Sequence, residues 1–240
     1  ASKKIFKLKN RPINNPLIVH YYDTNNLKKD CKLNKDFFKL YKKLCPGPIT
    51  FVLNLNKNSR ISKITTNKRK SLAIRFPNHA VTRFLLKKLK FPLAAPSANI
   101  SSKVSSVSSK DVKDDFGKKV KYVLEGGKSS FGIESTIIDL RNKPKILRLG
   151  CIEVSKIQKI LRKKIIINNN SSKISSPGQF KLHYSPDMPI RLNVKQTKSN
   201  EAYLLIKKIK DIKPNYFFLS KKGNLKEAAK NLYATLRRIK

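Results

Sequence analysis

Lys9 and Arg11 stand two positions apart in the run Ile5-Phe6-Lys7-Leu8-Lys9-Asn10-Arg11-Pro12. On an extended backbone that spacing points both side chains to one face. A Lys–Arg pair so placed can clamp a triphosphate, the arginine as a planar fork and the lysine as a point charge. Asn15 follows between Pro12 and Pro16, in what reads as a rigid turn. The alternative is two more surface cations in a lysine-rich chain. A second pair, Ser97 and Asn99, lies in Phe91-Pro92-Leu93-Ala94-Ala95-Pro96-Ser97-Ala98-Asn99. A short apolar run ending in Pro-Ser-x-Asn reads as a strand that stops at a polar turn. It offers a hydroxyl and an amide at a strand end, where α/β scaffolds hold ligands. The competing reading is a turn that bonds its own backbone. Arg75, just before Pro77-Asn78-His79, is a candidate carboxylate binder or a plain surface arginine. In Phe131-Gly132-Ile133-Glu134-Ser135-Thr136 a glycine precedes a Ser-Thr pair, a pattern that brings backbone close to a ligand. His20 ends an apolar strand and reads more readily as a satisfied core or strand-end histidine than as a ligand.

The elements that would position these residues follow from periodicity. Leu17 to Tyr21, Ile49 to Leu55, Ser71 to Phe76, Tyr122 to Leu124, Ile137 to Leu140 and Ile146 to Leu149 read as strands. Asn34 to Leu44, Ala80 to Lys90, Asp111 to Phe116 and Val154 to Leu161 read as helices, and residues 56 to 70 as polar loop. Composition shifts at Asn168 into an Asn/Ser-rich linker. The stretch from Ser176 to Pro186 carries His183 and Tyr184 between prolines and is expected either to lie across a site as a lid or to act as a tether. Beyond it, Ala202 to Ile206 and Tyr216 to Ser220 read as strands. Asn224 caps a last helix, with Glu227 in the capping-box position. The division expected is a first domain over 1–167, a linker or lid over 168–189, and part of a small α/β domain over 190–240.

The chain of 240 residues carries 55 Lys and Arg against 14 Asp and Glu, a formal charge of +41. One reading is a polyanion partner, since cations gain affinity by releasing counterions from nucleic acid. The other is compositional drift toward Lys, Asn and Ile, and the scatter of lysines through every segment favours it as the main cause. RNA contact is then a secondary benefit. Cys31, Cys45 and Cys151 are far apart and the three histidines isolated, which argues against a zinc site and a disulfide framework and fits a reducing cytosol. No apolar run is long enough to span a bilayer. There is no Gly-rich phosphate loop, no dinucleotide fingerprint and no Gly-x-Ser-x-Gly elbow. The acidic residues form no tight metal cluster, so any magnesium would be held mainly by substrate phosphates.

Six motifs in order give the chain a resemblance to the YrdC/Sua-type threonylcarbamoyl-AMP synthases. They are Ile5 to His20 with Lys9, Arg11 and Asn15, then Pro46-Gly47-Pro48-Ile49-Thr50 and Ala73-Ile74-Arg75-x-Pro77-x-His79. Pro92 to Ser101, Gly132-x-Glu134-Ser135-Thr136-Ile137 and Ile146-Leu147-Arg148-x-Gly150 complete them. The linker and the helix of Asn224 to Leu236 resemble the longer, two-domain type. The resemblance implies an α/β fold, a twisted mixed sheet with flanking helices around a basic cavity, followed by a partial Rossmann-like C-terminal domain. It implies a nucleotidyl transfer joining L-threonine, bicarbonate and ATP into threonylcarbamoyl-AMP and pyrophosphate, for modification of a tRNA adenosine beside the anticodon.

By match to that family, Lys9 and Arg11 would be catalytic. Arg11, Asn15, Ser71, Ser97, Asn99, Ser105 and Arg148 would hold ATP, and His20, Arg75, Ala95 and Ser135 would line the threonine pocket. His183 and Tyr184 would belong to the lid. Mg2+ would ride on the ATP phosphates, and no protein metal site is expected. Expected partners are tRNA or double-stranded RNA and a downstream threonylcarbamoyl transferase, in the cytoplasm and without a membrane. A non-catalytic RNA-binding module using the same basic cavity is the alternative. The departures are Cys45 where an aromatic residue is usual, Ser102 for a usual glycine, Val104 and Ser106 for frequent prolines, and Leu149 inside a usual Arg-Pro-Gly. The family's opening strand is missing before Ala1, so the chain is expected to be truncated at both ends and weakly active or inactive alone.

Overall fold

The structure is a computed structural model and describes residues 1–167 and 184–239. In chain order its elements are α1 (Ser2–Lys9), β1 (Ile18–His20), α2 (Thr24–Asp30), α3 (Lys35–Leu44), β2 (Ile49–Asn54), α4 (Lys63–Thr66), β3 (Ser71–Arg75), α5 (Ala80–Leu89) and β4 (Leu93–Ala94). There follow α6 (Ser109–Phe116), a 3-10 turn at Gly117–Lys119, β5 (Thr136–Asp139), β6 (Lys145–Arg148), α7 (Val154–Leu161), β7 (Ile166–Ile167), β8 (Tyr203–Lys207), β9 (Tyr216–Ser220) and α8 (Leu225–Ile239). The chain divides into one unit of Ala1–Ser97 with Glu134–Lys181 and another of Ala98–Ile133 with Leu182–Lys240.

The first unit is built on a seven-stranded sheet of order β4-β1-β3-β2-β5-β6-β7. Pairing is mixed: β1/β3, β2/β5 and β6/β7 are parallel, while β1/β4, β2/β3 and β5/β6 are antiparallel. Side chains alternate between the two faces along each strand. On one face Phe51, Leu53, Leu72, Ile74, Ile138 and Ile146 pack under Phe37, Leu40 and Leu44 of α3 and Ile157 and Leu161 of α7. Each such fully buried side chain contributes about 1.5–3 kcal/mol. Among the described residues the opposite face carries the smaller apolar cluster Ile18, Val52, Ala73, Ile137 and Leu147. Helix α3 starts where expected because the Asn34 side chain accepts from the Phe37 N–H at 2.9 Å and donates to the Leu140 carbonyl at 2.7 Å. At the sheet edge, β4 bonds β1 through Leu93 and Ala95, with Ala95 N donating to the Ile18 carbonyl at 3.0 Å. The Ala94 amide and carbonyl therefore face away from β1, and Pro92 and Pro96 flank them without N–H groups.

In the second unit β8 and β9 pair in parallel. Arg237 in the last turn of α8 donates through its guanidinium to the carbonyls of Val104 (3.0 Å) and Ser105 (3.2 Å) and forks onto the Asp115 carboxylate at 2.7 and 3.2 Å. Gly132 sits at φ 74°, and a Cβ there would collide with the α8 backbone at Ala229 and Lys230, so only glycine fits.

Several local expectations fail, each for a visible reason. Lys9 and Arg11 do not share an extended strand. Lys9 closes α1, and Asn10 turns the chain at φ 50°, with Arg11 N bonded back to the Phe6 carbonyl at 2.9 Å. Asn followed by Pro12 is a helix stop, so the signal was present. Tyr122 to Leu124 form no strand; Tyr122 and Leu124 are exposed and find no sheet partner among the described residues. Residues 56–70 include the short helix α4, and α2, capped by the Asp23 carboxylate on Asn25 N at 2.9 Å, had not been anticipated. At α8, Asn224 Oδ1 accepts from Glu227 N at 3.1 Å. The return half of the capping box is replaced, because Ser220 Oγ accepts from Asn224 N at 2.9 Å and donates to the Glu227 carboxylate at 2.6 Å.

Candidate functional site

Register places a lateral row of polar side chains on the thinly covered face of the sheet. His20 of β1 stands opposite Arg75 of β3, Arg75 opposite Thr50 of β2, Thr50 opposite Ile137 of β5, and Ile137 opposite Arg148 of β6. Directly paired residues share a face, so two arginines, an imidazole and a hydroxyl line up across five strands. Ser135, just before β5, joins them. Its Oγ lies 2.7 Å from Thr50 Oγ1, and Arg148 Nη2 donates to both its carbonyl (2.9 Å) and its hydroxyl (3.1 Å). Gly150 permits this, since a Cβ there would strike the backbone of Glu134, Ser135 and Thr136.

The electrostatics of the row favour an anionic occupant. Burial is the main influence lowering the Arg75 pKa, and the neighbouring Arg148 adds to it, while Cys151, Cys45 and Glu134 oppose. Arginine nevertheless stays charged in proteins. Its Nε donates to the Gly47 carbonyl at 3.3 Å. A desolvated guanidinium beside a like charge gains from a carboxylate or phosphate. Burial, and then the charge of Arg75, pushes His20 down to about 4, with the Leu93 backbone acting in the opposite sense. The ring is therefore neutral at pH 7, and its buried Nδ1 has no hydrogen-bond partner among the described residues. The cysteines beside the row are not nucleophiles. Burial pushes the Cys45 thiol up to about 12 and raises that of Cys151 too, so both stay protonated.

A second polar group forms where α1 ends. Lys9 Nζ donates to the Ser97 carbonyl at 2.7 Å, so this pair of sequence-predicted residues meets through backbone rather than through the Ser97 hydroxyl. Arg11 donates to the Asn15 carbonyl (3.0 Å), Asn15 Oδ1 (2.6 Å) and the Pro16 carbonyl (2.8 Å). Lys9 and Arg11 are both buried. Ser71 lies on the Arg75 face of β3, about 13 Å along the strand. Ala95 stands opposite Ile18.

The remaining candidates belong to the second unit. Asn99 is buried, and its Nδ2 donates to the Ile100 and Lys103 carbonyls at 2.7 and 2.8 Å, which organises its own turn. Ser105 is buried in the loop gripped by Arg237. Ser102 takes φ 71°, the left-handed conformation in which glycine is at ease. Tyr184 stacks on Tyr233 of α8 at 5.7 Å, and Ser185 N bonds the Ser102 carbonyl at 2.8 Å. His183 lies outside the described residues. Thr50 of the Pro46-Gly47-Pro48-Ile49-Thr50 motif is not among the expected site residues, because its place in the row depends on strand register. A cavity of about 790 Å3 lies along α1, the β4 edge and Arg60, and none of the predicted site residues lines it.

A family profile described as "Telomere recombination", Sua5/YciO/YrdC, matches residues 1–150. The chain belongs to the Sua5/YciO/YrdC family. A second profile, "Threonylcarbamoyl-AMP synthase, C-terminal domain", matches residues 152–240, so this member has the two-domain form. Among curated relatives, threonylcarbamoyl-AMP synthase of Pyrococcus abyssi is 33% identical over 79% of this chain and 57% of its own length. That of Schizosaccharomyces pombe is 33% identical over 96% of this chain and 62% of its own, and that of Bacillus subtilis 31% over 80% and 57%. The chain thus spans about six-tenths of the length of these relatives. The crystal structure of P. abyssi Sua5 complexed with L-threonine aligns with a TM-score of 0.88 at 29% identity, over 99% of this chain and 75% of that one. Escherichia coli YciO aligns at 0.57 and 24% identity over 65% and 75%, a likeness of fold alone. The mixed sheet with flanking helices anticipated from the motifs is the fold of this family.

No group of three or more His, Cys, Asp or Glu side chains among the described residues could hold a metal ion. The row itself consists of cations, an imidazole and hydroxyls, a donor set that does not fit a magnesium ion held by the protein. No helix among the described residues is long and apolar enough to cross a membrane.

Proposed function

We propose that the chain is a nucleotidyltransferase that forms threonylcarbamoyl-AMP and pyrophosphate from L-threonine, bicarbonate and ATP. The observation that carries this reading is the row of His20, Arg75, Thr50 and Arg148 with Ser135, an anion-seeking set in a family whose P. abyssi member was crystallised with L-threonine. Arg75 pairs the threonine carboxylate, neutral His20 and Ser135 bond its polar groups, and Ala95 leaves room for the side chain. Lys9, Arg11 and Asn15 hold the ATP phosphates, with Ser71, Ser97, Asn99, Ser105 and Arg148 on the nucleotide side. Any Mg2+ arrives with the nucleotide as part of the substrate.

The threonine amine attacks the carbon of bicarbonate; the N–C bond forms, a C–O bond breaks, and water leaves to give a carbamate. A carbamate oxygen then attacks the α-phosphorus as the bond to the β-phosphate oxygen breaks, and pyrophosphate leaves with that electron pair. Anion meets anion in this step, so the cations of Lys9 and Arg11 lower the repulsion and stabilise the departing charge. Placement of the substrates in line supplies most of the rest, and no covalent nucleophile is called for. The product is consumed by a transferase that modifies a tRNA adenosine next to the anticodon, which puts the protein in the cytoplasm.

The test is pyrophosphate release with ATP, bicarbonate and threonine, with each substrate omitted in turn. Release that requires threonine, a threonine KM raised at least tenfold by Arg75→Ala, and a kcat lowered by Lys9→Ala are expected. Nucleotide and RNA binding with no threonine-dependent release from the chain at its relatives' full length would overturn the reading in favour of an RNA-binding module.

A further inference from the structure

The loop from Ala98 to Ser106 carries Asn99 and Ser105, and it lies with α8 in the second unit. Its carbonyl oxygens are tied back one after another. Ser106 Oγ donates to the Ala98 carbonyl at 2.6 Å, and Asn99 Nδ2 holds those of Ile100 and Lys103. Ser185 N donates to the Ser102 carbonyl at 2.8 Å. The carbonyls of Val104 and Ser105 are held by Arg237, 133 and 132 residues further along the chain. The same guanidinium reaches Ser106 Oγ at 3.3 Å and the Asp115 carboxylate of α6 at 2.7 Å. Helix α6 fixes the far end of the loop, where Val107 N and Ser108 N donate to Asp111 Oδ2 at 2.7 and 3.0 Å. One side chain thus joins α8, α6 and the loop. Ser102 is held at φ 71°, which serine does not favour, so the loop keeps its shape through these anchors rather than by local preference.

We propose that Arg237 is a positioning residue for nucleotide binding, through which the C-terminal helix holds the Asn99–Ser105 loop in the shape that receives ATP. This rests on the synthase reading, which sets Asn99 and Ser105 against the nucleotide. A carbonyl oxygen released from its donor can swing toward the ligand, where its partial negative charge repels a polyanion. Backbone amides and hydroxyls attract one. Tying the carbonyls back in advance leaves the donors of the loop for the ligand. It also spares the entropy that a slack loop loses when binding orders it. Arginine suits the task because its planar fork serves two carbonyls and a carboxylate at once, which an ammonium group cannot do.

The experiment is calorimetric titration of ATP into the full 240-residue chain without threonine or bicarbonate, beside the pyrophosphate assay with all three substrates. Arg237→Ala should raise the Kd for ATP about tenfold or more, and the ATP KM with it, while the threonine KM moves by less than about twofold. Arg237→Lys keeps the charge beside Asp115 but loses the fork. It guards against loss of fold, and its affinity should fall between those of the parent and the alanine variant. The control is Leu219→Ala, which removes a buried side chain of β9 that makes none of the bonds of the loop. It should unfold as readily in urea as Arg237→Ala, yet bind ATP within about twofold of the parent. Unchanged ATP affinity in Arg237→Ala would overturn the proposal. So would parental affinity in Arg237→Lys, an equal loss in Leu219→Ala, or a threonine KM that rises as much as the ATP KM. If ATP binds the parent and Arg237→Ala alike and release still requires threonine, this proposal alone fails. If ATP binding weakens as expected but release never requires threonine, the synthase reading alone fails.

Discussion

Lowering the pH should test the buried row through His20. Burial and Arg75 hold its pKa at about 4, against 6.5 in the unfolded chain. Between those values the unfolded state binds the proton and the folded state does not. The stabilisation is therefore complete above pH 6.5, declines as pH falls, and is gone below about 4. The gap corresponds to about 3 kcal/mol, a large share of a domain's usual stability. The assay is an NMR titration of the imidazole Cε1–H signals, with His20 assigned by its loss in His20→Gln. One signal should remain neutral down to about pH 4.5. In urea unfolding at pH 7.5 and 5, the parent should lose about 2 kcal/mol more than His20→Gln, in which the linkage is absent. A His20 signal titrating at 6 or above, or equal acid sensitivity in the two proteins, would refute the placement of a neutral, desolvated imidazole beside Arg75.

Ser135→Ala should cost about 1–2 kcal/mol, because it strands the Thr50 hydroxyl and one Arg148 bond. In the pyrophosphate assay it should raise the threonine KM more than the ATP KM. Arg237→Ala should destabilise the second unit by about 2 kcal/mol, since it leaves Asp115 and two loop carbonyls without that guanidinium. Amide hydrogen exchange at Val104 to Ser106 should then quicken, with little change in β1 and β3. Ser102→Gly should stabilise by about 1 kcal/mol in urea unfolding, since a serine is held at φ 71° where glycine is unstrained.

The strongly patterned elements were legible from sequence. β2, β3, α3 and α7 lie within a residue or so of their expected bounds because continuous apolar runs or helical stripes define them. The backbone at Lys9 was not, because the extended reading weighed two prolines and overlooked Asn10 as a left-handed helix end. Tyr122 to Leu124 had strand composition but no neighbouring strand, and composition carries no pairing information. The candidate site divides in the same way. Lys9 with Ser97, Arg11 with Asn15, and Ser135 with Arg148 were singled out and do meet. The row across five strands was not legible, since it depends on register between segments up to 128 residues apart, from His20 to Arg148. Thr50 escaped notice for that reason.

The outer side of β4, which pairs with no strand among the described residues, has a consequence for how the protein behaves at high concentration. An unpaired strand edge is a template on which another chain can add, the first step toward aggregation. Here Ala94 alone offers a donor between Pro92 and Pro96, so an incoming strand could form one rung and then meet two residues that cannot donate. At the opposite end of the sheet, exposed Ile166 and Ile167 of β7 have no such prolines, and the preceding Lys163 and Lys164 repel a like-charged copy instead. One border is guarded by missing hydrogen-bond donors and the other by charge, so salt should loosen only the second.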